Sequence, residues 1–403
     1  MSVCDRCLLP EGVEEILPEE AFRLESLRRR ILDLYAGWGY DLVIPPLIEY
    51  LDSLLVGSSH DLDLQTFKIT DQLTGRMMGL RADITPQVAR IDAHLVAQRG
   101  EDAADIPLRL CYSDHVAHTR PRGLLASRVP IRIGAELFGH AGIACDIELI
   151  CLMHETLREA GVDEVFIVLG HVGIFRSLVK AAQLSADSEN ELFNALQRKA
   201  YGEIEQLLEA HVADDDIRRM LSELSRLSGD ESVLPAALEA FRDAPGSVLK
   251  EIHELEAIAA GVKQRLPAAS LGFDLCELRG YEYHTGIVFA AYTPAYGRAL
   301  AQGGRFDDVG QSTGRMRPAS GFDADLKVIA RLSRHPLLRG KAVSAPASED
   351  PALQALIGQL RAEGERVIVD LDSTDSPQER LRLQGCDRRL VQKNGVWQVH
   401  SLA

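Results

Sequence analysis

No stretch of this 403-residue sequence is apolar enough to cross a bilayer, and runs such as 165–170 fall far short of the ~20 residues a spanning helix needs. The first residues, Met1-Ser2-Val3-Cys4-Asp5-Arg6, lack the charged-then-apolar pattern of a signal peptide, so a cytoplasmic location with no membrane association is expected. Cysteine is sparse: seven residues, odd in number and scattered, fit reduced thiols better than a disulfide framework. Cys4-Asp5-Arg6-Cys7 has CxxC spacing, but no second pair follows at the usual distance, and the ligand count argues against zinc. Positive charge is also short. A formal net charge of −16 weighs against a sequence-independent grip on nucleic acid, which needs clustered Lys and Arg. Low-complexity tracts and fixed-period repeats are missing as well. What is present is 46% hydrophobic residues, enough for a globular chain of two or three domains.

Apolar residues at Leu24, Leu27, Ile31 and Leu34 recur at helical spacing over about residues 19–36, and Gly37 and Gly39 end the run. Residues 40–44 follow as a short strand stopped by Pro45-Pro46, which cannot supply ladder donors. Residues 67–70 and 76–80 read as a hairpin. In Arg81-Ala82-Asp83-Ile84-Thr85-Pro86, the threonine can cap a helix that has Pro86 at its first position and runs to about Ala97. Strands are expected at 109–111, 129–133 and 165–169, and helices at 146–160 and 174–182. Residues 184–262 change to charged, leucine-containing helical stretches with few glycines. Strand signals return at 271–275, 283–291 and 298–302, and 322–332 reads as a closing helix. Strands interrupted by helices, without regular βαβ alternation, give an α+β class with an antiparallel sheet. The small-residue stretch 341–348 reads as a linker, followed by helix, strand, helix and strand. The expected divisions are a core, 1–183, a helical insertion, 184–262, the second part of the core, 263–340, and a small C-terminal α/β domain, 341–403.

Four constellations carry chemistry. Asp83 and Thr85 place a carboxylate and a hydroxyl at a helix start, where they can hold an ammonium group by charge-assisted hydrogen bonds; taken alone, the segment reads rather as an ordinary helix cap. Glu136, in Ile133-Gly-Ala-Glu-Leu-Phe-Gly139, adds a second carboxylate. Arg132, just before it, either turns toward a carboxylate or makes an exposed strand-end salt bridge. In Leu278-Arg-Gly-Tyr-Glu-Tyr-His-Thr-Gly-Ile-Val-Phe289, Tyr283 and His284 can wall a flat ring, and Arg279 can pair with a carboxylate or phosphate. Gly303-Gly304-Arg305-Phe306-Asp307 reads as a turn whose glycines permit close backbone approach.

These elements resemble histidyl-tRNA synthetase from about Leu9 to Arg334. Leu80-Arg-Ala-Asp-Ile-Thr85 is similar to the family's Leu-Arg-Pro-Glu-x-Thr, residues 132–139 to Gln-x-Gly-x-Glu-x-x-Gly, residues 279–289 to Arg-Gly-Leu-Asp-Tyr-Tyr-x-x-x-Val-Phe, and residues 303–307 to Gly-Gly-Arg-Tyr-Asp. The resemblance implies a class II aminoacyl-tRNA synthetase-like antiparallel sheet flanked by helices. It also implies a histidine pocket formed by Asp83, Thr85, Arg132, Glu136, Arg279, Tyr283 and His284. The departures are as informative. Val116-Ala117-His118-Thr119 stands where the family has Phe-Arg-x-Glu, and Gly321-Phe-Asp-Ala-Asp-Leu-Lys-Val328 where it has Gly-Phe-x-x-Gly-x-Glu-Arg. Both ATP-binding arginines are gone, and Asp323 and Asp325 add repulsion near any triphosphate.

A synthetase-like core without those arginines, with a short tail and the segment His118-Thr-Arg-Pro-Arg-Gly123, resembles the regulatory subunits of ATP phosphoribosyltransferase. What this implies is a noncatalytic partner, needing no cofactor or metal, that activates the short-form catalytic subunit of ATP phosphoribosyltransferase and transmits feedback inhibition by L-histidine. It further implies a homodimer or higher assembly within a hetero-oligomer, with no role for tRNA. The competing expectation is a divergent amino-acid-activating ligase.

Overall fold

The computed structural model describes residues 8–55, 60–100, 106–121, 123, 126–278, 280–281, 283–307, 317–335, 340–371 and 378–402. The chain divides into two compact units, Met1–Leu17 with Leu24–Pro336, and Pro18–Arg23 with Leu337–Ala403. No helix among the described residues is long and apolar enough to cross a membrane.

The first unit is organised by a nine-stranded sheet. Its centre is antiparallel, with Leu108–His115, Ile131–Phe138, Ala319–Asp325, Tyr296–Arg305, Ile287–Thr293 and Phe166–His171 side by side in that order. Parallel pairs occupy the margins: Asp41–Leu42 joins Leu108–His115, and Ser270–Asp274 joins Phe166–His171. Ser228–Gly229 pairs with Ser270–Asp274 as the last strand. The α+β class with a largely antiparallel sheet is therefore as the sequence leads one to expect.

The helix Ile143–Glu159 lies on this sheet and is itself covered by Gly246–Arg265, which explains why almost every residue from Cys145 to Met153 is buried. The helices Ala186–Gln197, Tyr201–His211, Asp215–Leu224, Val233–Ala240 and Gly246–Arg265 belong to the same compact unit as the sheet. A separate small sheet pairs Phe67–Thr70 with Met77–Leu80 and the latter with Ile48–Tyr50. Arg81 fastens that region to the main sheet. Its side chain is 1% exposed, donates to the carbonyls of His115 and Pro45, each at 2.8 Å, and pairs with Asp114.

Several local expectations need correction. The stretch 322–332 is not one helix: Ala319–Asp325 is an interior strand and the helix is Leu326–Leu332. Asp325 makes the switch, because its carboxylate accepts from the Lys327 amide at 3.0 Å and caps the helix. Gly303 and Gly304 lie within the strand Tyr296–Arg305 rather than in a turn. Close approach is still their reason, since a Cβ on Gly303 would strike the carbonyl oxygen of Gly321. Thr85 does not cap its helix by a side-chain bond; the helix Thr85–Arg99 begins on Thr85 itself, and Asp83 accepts from the Ile84 amide at 2.6 Å.

In the second unit the expected linker 341–348 contains the strand Ala342–Pro346, which lies between Val367–Asp370 and Cys386–Lys393. Ala342, Val343 and Ala345 are each 0% exposed, so their small size reflects packing inside a sheet. Val396–Ser401 completes that four-stranded sheet, and Pro351–Ala362 supplies Leu353 and Ile357 to its core.

Candidate functional site

A cavity of ≈ 150 Å³ opens over the middle of the large sheet. That is room for on the order of ten water-sized groups, the scale of one free amino acid. Each wall comes from a different element. Asp83 and Thr85 come from the start of the helix Thr85–Arg99, and Glu136 from the strand Ile131–Phe138. Asp323 and Gly321 come from the neighbouring strand, and Glu277, Gly280, Tyr283 and His284 from the loop before Ile287. Gln302, Gly303 and Phe306 close it from the strand Tyr296–Arg305 and the residue following it.

The pairing of Gly321 with Glu136 matters here. A Cβ on Gly321 would sit 3.1 Å from the Glu136 carboxylate, so glycine leaves that carboxylate space. The Glu136 side chain is 1% exposed; the Tyr112 hydroxyl donates to its Oε1 at 3.3 Å and the Thr85 hydroxyl also favours its ionised form, while its Oε2 has no partner within hydrogen-bond distance. Burial, reinforced by the Asp83 and Asp323 carboxylates, pushes its carboxyl up to about 8. The Thr85 and Tyr112 hydroxyls stand 3.5 Å apart.

Opposite lies an aromatic wall. Tyr283 stacks on Phe306 with ring centroids 5.0 Å apart and meets His284 edge-on at 5.3 Å. The Tyr283 hydroxyl is buried without a hydrogen-bond partner. Burial brings His284 down to about 4, so its ring is neutral at physiological pH. Its Nδ1 lies 3.3 Å from the Arg305 carbonyl oxygen, which can only accept, so Nδ1 carries the proton and Nε2 is left as an acceptor.

Asp83, Thr85, Glu136, Tyr283 and His284 thus converge as the sequence suggested. Arg132 does not line the cavity; it pairs with Asp323 at 3.2 Å. Burial works against its charge, but Asp323, Asp83 and Asp325 outweigh it and hold the guanidinium protonated. Arg279 lies outside the described residues. The sequence reading overlooked Glu277 and Tyr112 and treated Asp323 only as repulsion toward ATP. Glu277, two residues before Arg279, was the one that proximity to a motif could have flagged.

The positions of the missing ATP arginines are occupied by other work. Ala117 is buried and gives its amide to the Arg81 carbonyl at 3.0 Å. Next to Val328, Lys327 turns its ammonium to Glu14 and Ser127, at 3.3 and 3.4 Å.

The chain as a whole is similar to known proteins. The profile of the histidyl-tRNA synthetase family matches residues 12–329, and that of the ATP phosphoribosyltransferase subunit HisZ C-terminal domain matches residues 340–400. An ATP phosphoribosyltransferase regulatory subunit from Alkalilimnicola ehrlichii is 52% identical, over 97% of this chain and 96% of its own. The chain belongs to the ATP phosphoribosyltransferase regulatory subunit family. A second member, from Chromohalobacter salexigens, is 50% identical over 100% of both chains. A crystal structure of an ATP phosphoribosyltransferase regulatory subunit/histidyl-tRNA synthetase from Bacillus halodurans superposes with a TM-score of 0.83 at 25% identity, covering 96% of this chain and 99% of that one. Membership in the regulatory subunit family gives the chain a regulatory role in histidine biosynthesis and disfavours the amino-acid-activating ligase.

Proposed function

We propose that the chain holds free L-histidine in this cavity, performs no adenylation, and conveys the occupancy of the cavity to a short-form catalytic subunit of ATP phosphoribosyltransferase. It activates that subunit and makes it sensitive to histidine. The carrying observation is the acidic end of the cavity, where Asp83, Glu136 and Asp323 meet and Glu136 Oε2 is buried without a partner. An α-ammonium group brings a donor to that oxygen, as a charge-assisted bond. At the other end Tyr283 offers a flat wall, and the free Nε2 of His284 can accept from an imidazole N–H.

The absence of cations at 117 and 328 argues against adenylation, since charge building at phosphorus during acyl transfer to ATP has nothing to meet it there. A regulatory subunit accounts for both the cavity and the lost clamps, whereas a ligase accounts for the cavity alone. The proposed assembly is a homodimer inside a larger hetero-oligomer of closed symmetry, with no tRNA bound. Exposed Leu42, Ile44, Leu47 and Ile48 beside the marginal strand Asp41–Leu42 support the homodimer, because such apolar clusters usually mark an interface.

Co-purification of the full chain with a short-form ATP phosphoribosyltransferase, followed by transferase rates with and without histidine, tests the proposal. A stable complex with raised, histidine-sensitive activity is expected. Failure to form the complex, or a rate indifferent to this chain, would overturn it.

A further inference from the structure

His171 ends the strand Phe166–His171 and starts the helix Val172–Ala182, and its ring is 1% exposed. Glu251 and Glu254, three residues apart on one face of the helix Gly246–Arg265, project toward it. One ligand atom from each of the three lies within 4.8 Å of the others. None of the three lines the amino-acid cavity.

Two observations set this cluster apart from a chance grouping of acids. Neither ring nitrogen of His171 has a hydrogen-bond partner, although Nε2 approaches Glu251 Oε2 at 3.0 Å. A buried, unpartnered imidazole is costly unless something completes it. Gly173 makes the approach possible, since a Cβ there would sit 2.8 Å from the His171 ring and 2.9 Å from the Glu251 carboxyl carbon. Two cations stand near the cluster: Arg305, bonded to Asp146 and the Ala141 carbonyl, also reaches Glu254 at 4.0 Å, and Lys250 acts on His171 and Glu251.

We propose that His171, Glu251 and Glu254 form a site for a divalent transition-metal ion, Zn²⁺ or Mn²⁺, with one nitrogen and two carboxylate ligands. Such ions bond to imidazole nitrogen and carboxylate oxygen at about 2.0–2.2 Å, and the three donors already lie within 4.8 Å of one another. Imidazole and carboxylate together suit these ions better than Ca²⁺ or Mg²⁺. The carboxylates are each 22% exposed, which gives the ion an entry path and leaves room for water as remaining ligands. The bound ion would pin the helix Gly246–Arg265 to the end of the strand Phe166–His171.

The test uses the full chain with Cys4→Ser and Cys7→Ser, so that the CxxC pair cannot contribute, stripped with chelator and kept free of histidine. Equilibrium dialysis against Zn²⁺ and Mn²⁺ is expected to give one ion per chain for at least one of them. Glu251→Gln and Glu254→Gln should each weaken that binding by at least about 10-fold, the least that losing even an outer-shell partner brings. Circular dichroism of the stripped variants checks folding, and because Glu254 is partly exposed its variant keeps the test valid if His171→Ala does not fold. No stoichiometric uptake of either ion, or uptake unaffected by both glutamine variants, would overturn the proposal.

Discussion

Histidine binding is expected to expel a proton from the cavity. In the empty cavity the Glu136 carboxyl sits at about 8, chiefly because it is buried and also because Asp83 and Asp323 face it. At pH 7 roughly one chain in eleven then carries the carboxylate, and ionising the rest costs about 1.4 kcal/mol. An ammonium group seated against Glu136 favours the ionised form, so the bound value falls toward or below the ordinary ~4.3. The sign follows directly: the ligand selects the carboxylate, so affinity rises with pH up to about 8, and it falls again at higher pH as the ligand's own α-ammonium loses its proton.

Between pH 7 and 8 the ionised fraction grows from about 9% to about 50%, so the dissociation constant should tighten about fivefold. Free imidazole, with its value near ~6.5, is already mostly neutral across this window and adds little. Calorimetry at pH 7 in buffers of different ionisation heat should report about 0.9 proton released per histidine. The empty protein behaves in the opposite sense. A raised folded value means that the contribution of Glu136 to stability is full below the ordinary carboxylate range and is lost as pH rises through 8. Histidine should therefore raise the melting temperature more at pH 8 than at pH 7. Glu136→Gln removes the titration and should flatten both effects. Histidine binding without proton release, or an unchanged pH slope in Glu136→Gln, would refute this reasoning.

Three further outcomes are expected. Histidine-dependent exchange of pyrophosphate into ATP should be undetectable in the wild type and in Ala117→Arg/Val328→Arg, because Asp323 and Asp325 remain; measurable exchange in the wild type would contradict the noncatalytic reading. Sedimentation at micromolar concentration should show a dimer, and Ile44→Lys, at a position 77% exposed, should shift it toward monomer; a wild-type monomer would remove the proposed interface. Gly303→Ala should cost about 1–3 kcal/mol or more in denaturant unfolding, since its Cβ meets a backbone oxygen that cannot step aside; unchanged stability would mean the strands can part there.

Much of the candidate site was legible because its residues sit in short segments that combine a chemical group with a backbone signal. Asp83 and Thr85 mark a helix start, Glu136 sits between glycines, and Tyr283 and His284 precede a strongly apolar strand. What escaped was set by pairing between distant strands. Asp323 meets the cavity because the strand Ala319–Asp325 lies against Ile131–Phe138, with Asp323 opposite Gly134, and local spacing says nothing of that register. The helical reading of 322–332 failed for a related reason: Phe322, Leu326 and Ile329 fit a helical period, while the interior strand ending at Asp325 is held by its neighbours. In 341–348 the small side chains concealed a central strand, because alternation of burial is lost when both faces are covered.

The glycines that line the cavity also limit how its selectivity can drift. At 303 and 321 the lining is main chain: a Cβ at 303 would overlap a carbonyl oxygen, and one at 321 would press at 3.1 Å on the Ala135 carbonyl and the Glu136 carboxylate. Position 303 is closed to the usual exchange of one pocket residue for another, and 321 is open to it only if Glu136 gives way. Recognition of a different small molecule would have to be written in the walls, at Glu277, His284 and Gln302, where a change of side chain alters shape and charge without forcing the strands apart.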